Sequence, residues 1–206
     1  MEAVDVVTMR ARLALVNRIR TNRVERLTGC ASGRPDAGVP LAGGSTSDRD
    51  QCHHPAMQSV FEAAGGIDGL RRLAAAWHER VMADEVVSHA FSHGFRPDHT
   101  ERLAAYWAEA LGGPRAFSAH HGGDETSVVR MHSGHGPHED MDRRAIACFD
   151  LALGDVGMPL DGALGRVLHD YFAWATTNQM ARYPHSADEV PDGLAIPRWS
   201  WNGLAP

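Results

Sequence analysis

"VVRMHSGHGPHED", residues 128–140, spaces three histidines evenly, at His132, His135 and His138. Imidazole is the commonest metal ligand among side chains, so the first question is whether the three converge on one ion. The backbone answers it. On a continuous helix, positions i, i+3 and i+6 drift around the surface, whereas metals are usually clamped by an i, i+4 pair. Gly134, Gly136 and Pro137 interrupt the stretch, and a residue before proline avoids the α region. The stretch therefore divides into a short helical piece ending at His132, a turn holding His135, and a new helix with His138 in its first turn. His132 alone is the candidate metal ligand; His135 and His138 read as solvated or capping residues.

Working outward, the pattern is helical nearly throughout. "MQSVFEAA" (57–64) is a short helix stopped by Gly65-Gly66. "IDGLRRLAAAWHERVMADE" (67–85) repeats apolar residues at 3–4 spacing through Ile67, Leu70, Leu73, Ala74, Trp77 and Val81, the signature of an amphipathic helix. "VVSHAFSHGF" (86–95) reads as a corner. "RPDHTERLAAYWAEALGGP" (96–114) has proline near its start and Gly-Gly-Pro at its end, a strong terminator. Residues 115–127 lack periodicity and read as a loop. A helix then runs from about Pro137 to Gly157, with Glu139 and Asp140 in the first turn where the dipole favours them. The last long helix, "LDGALGRVLHDYFAWATTNQMARY" (160–183), is stopped by Pro184. No strand pair and no internal repeat is evident. The tail carries Trp199 and Trp201, placed to fold back over apolar surface. The domain organisation expected is an extension over 1–55, an all-α domain over 56–183 and a tail over 184–206.

Composition narrows the chemistry. All twenty basic residues are arginine, which excludes Schiff-base and lysine-base mechanisms. The net charge of −6 argues against nucleic acid as a partner. No apolar run is long enough to span a membrane. Residues 1–30 can form an Arg-rich amphipathic helix, and 31–55, rich in Gly, Pro, Ser and Asp, read as a disordered linker. His53-His54 there read as solvated, and Met57 opens the periodic region. "LTGC" (27–30) resembles a lipoprotein cleavage box, but "NRIRTNRVER" stands where an apolar segment would be needed. Cys30, Cys52 and Cys148 make no disulfide framework, and Cys148 falls in an apolar helical pattern as a buried thiol. A reducing, cytoplasmic setting is expected.

A single neutral imidazole pinned by the apolar "SVVRM" piece suits an iron porphyrin, whose macrocycle supplies the equatorial ligands. Around it the chain offers His78 beside Trp77, Phe91 at the corner, His99 with Leu103 one turn on, and Ala145 and Phe149 on the next long helix. Each taken singly is also ordinary core or surface. Two other readings stay open. One is a helical-bundle hydrolase with a non-haem metal, although the Glu-x-x-His and H-E-x-x-H spacings are missing. The other is a haem-free sensor or scaffold built on the same all-α fold.

"FEAAGG" (61–66), "LRRLAAAWHERVMADE" (70–85), the corner Phe91, "ERLAAYWAEALGGP" (101–114) and "VVRMH" (128–132) together resemble a truncated haemoglobin, most like group II. The likeness runs over residues 58–182 in unbroken order. It implies an all-α, two-over-two helical sandwich holding haem b, with His132 as the axial iron ligand. The intervals His78–Phe91–His99–Leu103 match the family's distal positions. The resemblance then implies Phe91 against the porphyrin, His78 and His99 facing the gas, Leu103 and Ala145 lining the pocket, and Arg102 and Arg130 pairing with propionates. The family's usual tyrosine is His78 here, and the usual tryptophan, thirteen residues past the axial histidine, is Ala145. Implied partners are oxygen, nitric oxide or a similar diatomic gas and an electron-donating reductase. Nitric oxide dioxygenation or peroxide reduction would be the redox activity, and a homodimer is compatible.

Overall fold

The computed structural model describes residues 58–206. The extension expected over 1–55, with the helix and linker expected in it and His53-His54, Cys30 and Cys52, lies outside the described residues, as does Met57.

Helix α1 (Val60–Ala63) opens on a capping box. The Ser59 hydroxyl accepts from the Glu62 N–H, and the Glu62 carboxylate accepts from the Ser59 N–H at 2.9 Å. Helix α2 (Gly66–Ala83) follows at once. Where it crosses α1, a Cβ on Gly69 would stand 1.7 Å from the Ala64 carbonyl oxygen, so only glycine fits. A 3₁₀ turn, Val87–Phe91, makes the corner, and α3 (His99–Ala110) follows. The "GGP" terminator is a Schellman end: Gly112 takes φ +94°, and the Gly113 N–H donates to the Ala108 carbonyl at 2.8 Å.

Residues 115–127 are not the plain loop their sequence suggests. Helix α4 (Ala116–His120) lies within them, and α5 (Glu125–His132) begins before they end. Five residues are too few to express a helical period. Tertiary contacts make α4 instead: Phe117 is buried beside Tyr106, and the Ser118 N–H and hydroxyl both donate to Glu109. Helices α6 (Glu139–Asp155) and α7 (Ala163–Trp174) complete the bundle. Beyond α7 the chain loosens into a π turn, Ala175–Gln179, and a 3₁₀ turn, Met180–Arg182, where a continuous helix was expected.

The tail differs from expectation in one respect. It holds a strand pair, β1 (Trp199–Ser200) and β2 (Gly203–Leu204), antiparallel, with Trp199 opposite Leu204. Two residues per strand leave no alternation to read. The tail folds back as expected. Trp199 is buried against Tyr171 and Trp174, and the Trp201 indole N–H donates to the Gln58 carbonyl at 2.7 Å.

Helix α2 packs on α3 and on α6, and α6 packs on α7, giving two stacked helix pairs. Their shared core is aromatic. Phe149 stacks on Phe172 at 4.1 Å, and Trp77 and Trp107 meet Phe172 edge-on at 5.6 and 6.0 Å. A smaller cluster of Val81, Val87, Ala145 and Cys148 continues this core toward the corner, with Trp77, Phe91 and Met141 against it. Burial pushes the Cys148 thiol pKa up, as befits an inert core thiol. Among the described residues no helix is long and apolar enough to cross a membrane.

Candidate functional site

His132 is the last residue of α5, and its Nδ1 lies 2.8 Å from the Val128 carbonyl oxygen one turn back. A carbonyl can only accept, so Nδ1 carries the proton and Nε2 keeps a bare lone pair. This is the tautomer a metal-binding imidazole needs, fixed by its other nitrogen. Behind it Val129 is fully buried, and the Ser133 hydroxyl donates to the Val129 carbonyl at 2.7 Å. His132 is exposed, yet protein encloses it enough for desolvation to lower its pKa. Both hold because the ring borders a cavity rather than bulk solvent. That cavity is about 500 Å³, lined among others by His132, His138, Arg143, Ile146, Thr177 and Ala181.

The other two histidines of the stretch have partners of their own, although His138 borders the same cavity. His135 Nε2 approaches the Met131 carbonyl at 3.3 Å, and His138 pairs through Nδ1 with Asp142 at 3.0 Å. Among the described residues no group of three His, Cys, Asp or Glu side chains could hold a metal ion.

Four rings form a second group. His78 comes from α2, Phe91 and Phe95 from the corner, and His99 from the first turn of α3. The His78 centroid is 4.6 Å from Phe95, 5.2 Å from His99 and 5.3 Å from Phe91. His78 Nδ1 and His99 Nε2 are sealed from solvent and have no hydrogen-bond partner. Leaving such an atom unsatisfied costs about 1–3 kcal/mol. Burial lowers the pKa of both rings; for His99, the charge that His78 would carry lowers it further, against a smaller opposing effect of Asp98.

These shifts have a testable sign. Both native pKa values lie below the ordinary 6.5, so near that pH the unfolded chain binds more protons. Stability from this pair is whole above pH 6.5 and lost as pH falls through the native values. The thermal midpoint of the full chain is expected to drop more steeply below about pH 6.5 than that of a His78→Phe/His99→Phe chain. Parallel profiles would contradict the assignment.

The remaining sequence candidates divide. Leu103, one turn beyond His99, packs partly buried on the core. Ala145 and Phe91 share the smaller cluster, and the Ala145 carbonyl accepts from the Trp77 indole N–H at 3.1 Å. An indole thus does stand near position 145, with its N–H spent on tying α2 to α6. Arg102 and Arg130 have protein partners of their own. Arg102 donates to the His121 carbonyl at 2.8 Å and lies over Phe117; Arg130 binds the Val190 carbonyl and Asp192 at 3.1 and 2.9 Å. The guanidinium on the cavity wall is that of Arg143, ion-paired with Asp140. Sequence reading passed over Arg143 and also Phe95, whose only signal is a second phenylalanine one turn past Phe91, after Gly94 at φ +86°.

The family model for the bacterial-like globins matches residues 59–164, about half of the chain. The chain belongs to the bacterial-like globins. Among solved structures, the group II truncated haemoglobin of Bacillus anthracis is similar at 19% identity and TM-score 0.52, over 65% of this chain and 98% of that one. The haemoglobin of Chloroflexus aurantiacus is similar at 24% identity and TM-score 0.52, over 61% and 99%. That of Thermobifida fusca is similar at 25% identity and TM-score 0.50, over 60% and 97%. A comparison with curated proteins returned no match. The truncated-globin fold and the likeness to group II read from the sequence are thereby borne out. A bacterial-like globin implies a haem, and the residues present fit one. His132 offers a bare Nε2 at a cavity, and in the separate ring group of His78 and His99 two buried imidazole nitrogens lack partners.

Proposed function

We propose that this globin holds haem b through His132 Nε2 and binds oxygen, nitric oxide or a similar diatomic gas on the side of His78 and His99. The haem iron supplies the coordination position; the protein supplies the surroundings. The observation that carries this reading is the pair of partnerless nitrogens, His78 Nδ1 and His99 Nε2. A neutral ring offers one N–H donor and one acceptor, and a hydrogen bond to a partly anionic guest is stronger than a neutral one. Phe91, Phe95, Leu103 and Ala145 keep water from the guest. Because imidazole changes charge near neutral pH, His78 and His99 are suited to pass a proton during nitric oxide dioxygenation or peroxide reduction. Either reaction draws electrons from a reductase, which we place with the globin in the cytoplasm. The globin domain over 56–183 carries the site; a homodimer is compatible with it.

A second reading is favoured by one observation. His99 Nε2 is buried and partnerless, which would suit it to ligate the iron itself until a gas displaces it. Absorption spectra of the ferrous chain with and without oxygen, carbon monoxide and nitric oxide test both. Gas-dependent shifts of the haem bands are expected; bands unmoved by all three gases would overturn gas binding.

A further inference from the structure

Helix α5 carries the proposed ligand but has only eight residues, too few to be stable alone. What holds it comes from far along the chain. Thr126 Oγ1 donates to the Pro191 carbonyl and accepts from the Leu194 N–H, both at 3.1 Å. Arg130 donates to the Val190 carbonyl and to Asp192. Past His132, the Gly134 N–H donates to the Tyr183 carbonyl at 3.0 Å and the Gly136 N–H to the Pro184 carbonyl at 2.8 Å. Residues 183–194 thus grip the axial segment both before and after His132, and they lie outside the stretch that the family model matches.

Helix geometry shows what the grip resists. Residues 126 and 130 share one face; two residues on, a further 200° around the axis, 128 and 132 share the other. The strap therefore holds the face opposite the imidazole. On the imidazole's own stripe, two turns before it, Glu125 is fully buried. Its carboxylate accepts from the Tyr106 hydroxyl of α3 at 2.9 Å and from Gln179 of the π turn at 2.7 Å. A buried carboxyl held by two neutral donors is costly to desolvate, which is consistent with a structural demand at that point. Gripped on both faces, α5 can neither slide nor roll.

We propose that Glu125, Thr126 and Arg130, together with the strap 183–194, are positioning residues that set the height and tilt of His132 relative to its metal. The inference rests on the axial reading of His132, and its test separates the two. In the full chain, Thr126→Val and Arg130→Ala are compared with Trp201→Ala, which loosens the tail at Gln58 instead. Amide hydrogen exchange without haem is expected to quicken about tenfold over 129–136 in the strap variants and to stay at the wild-type rate there in Trp201→Ala. With haem, the ferrous iron–histidine stretching band in resonance Raman is expected to shift or broaden in the strap variants only. Glu125→Ala should move it as well, and Glu125→Gln, which keeps an acceptor and a donor, should restore it. If wild type takes up no haem, the axial reading fails and the exchange result alone decides the strap. Strap variants that lower the thermal midpoint yet leave exchange over 129–136 at the Trp201→Ala level overturn the proposal.

Discussion

His132→Gly is expected to lose stable haem binding and to recover it when free imidazole is added. The Nδ1 bond to the Val128 carbonyl leaves Nε2 bare beside the cavity. His135 and His138, the nearest imidazoles in sequence, are turned to Met131 and Asp142. His138 borders the same cavity with only its Nδ1 paired, so the variant is read beside His132→Gly/His138→Ala. Removing a mere orienting partner of a metal ligand costs about 10–100-fold in affinity, so loss of the ligand itself should exceed about a hundredfold. Glycine leaves a slot of the right shape for a free imidazole. Haem affinity and the ferrous spectrum, with and without imidazole, give the answer. A variant that keeps wild-type affinity and an unchanged ferrous spectrum would refute the axial assignment.

The second large effect is expected at His99. A hydrogen bond to a charged acceptor contributes about 1.5–3 kcal/mol, which is about 10–150-fold in an equilibrium constant. If His99 Nε2 donates to the bound gas, His99→Leu should raise the oxygen dissociation rate by about ten- to a hundredfold and change association little. If His99 instead fills the sixth position, the same substitution should speed association and convert a low-spin resting spectrum to high-spin. His78→Leu, in the same ring group, is expected to act in the same direction. Stopped-flow mixing separates the outcomes. Unchanged association and dissociation in both variants would remove the two imidazoles from the gas site.

Much of this was legible in the chain because it is local. The 3–4 spacing of 67–81 announces α2, and Gly112-Gly113 announces the end of α3 through a backbone shape glycine adopts without penalty. The Gly and Pro residues of 133–137 separate His132 from His135 and His138, and the structure separates their rings likewise. What sequence reading missed is non-local. Arg130 stands two residues from His132, yet its guanidinium meets Asp192, because two helical residues point about 200° apart. Arg102 reaches the carbonyl of His121 on the α4 side, a segment with no helical period to predict it. Glu125 carries no local signal of burial; the arrival of Tyr106 and Gln179 makes it a buried acid.

The most direct test of the account is an absorption titration of the purified full chain with haem, followed by dithionite reduction. One haem per chain is expected to bind, with a ferrous spectrum that is altered by His132→Gly. No saturable uptake of haem, or uptake that is indifferent to residue 132, would contradict it.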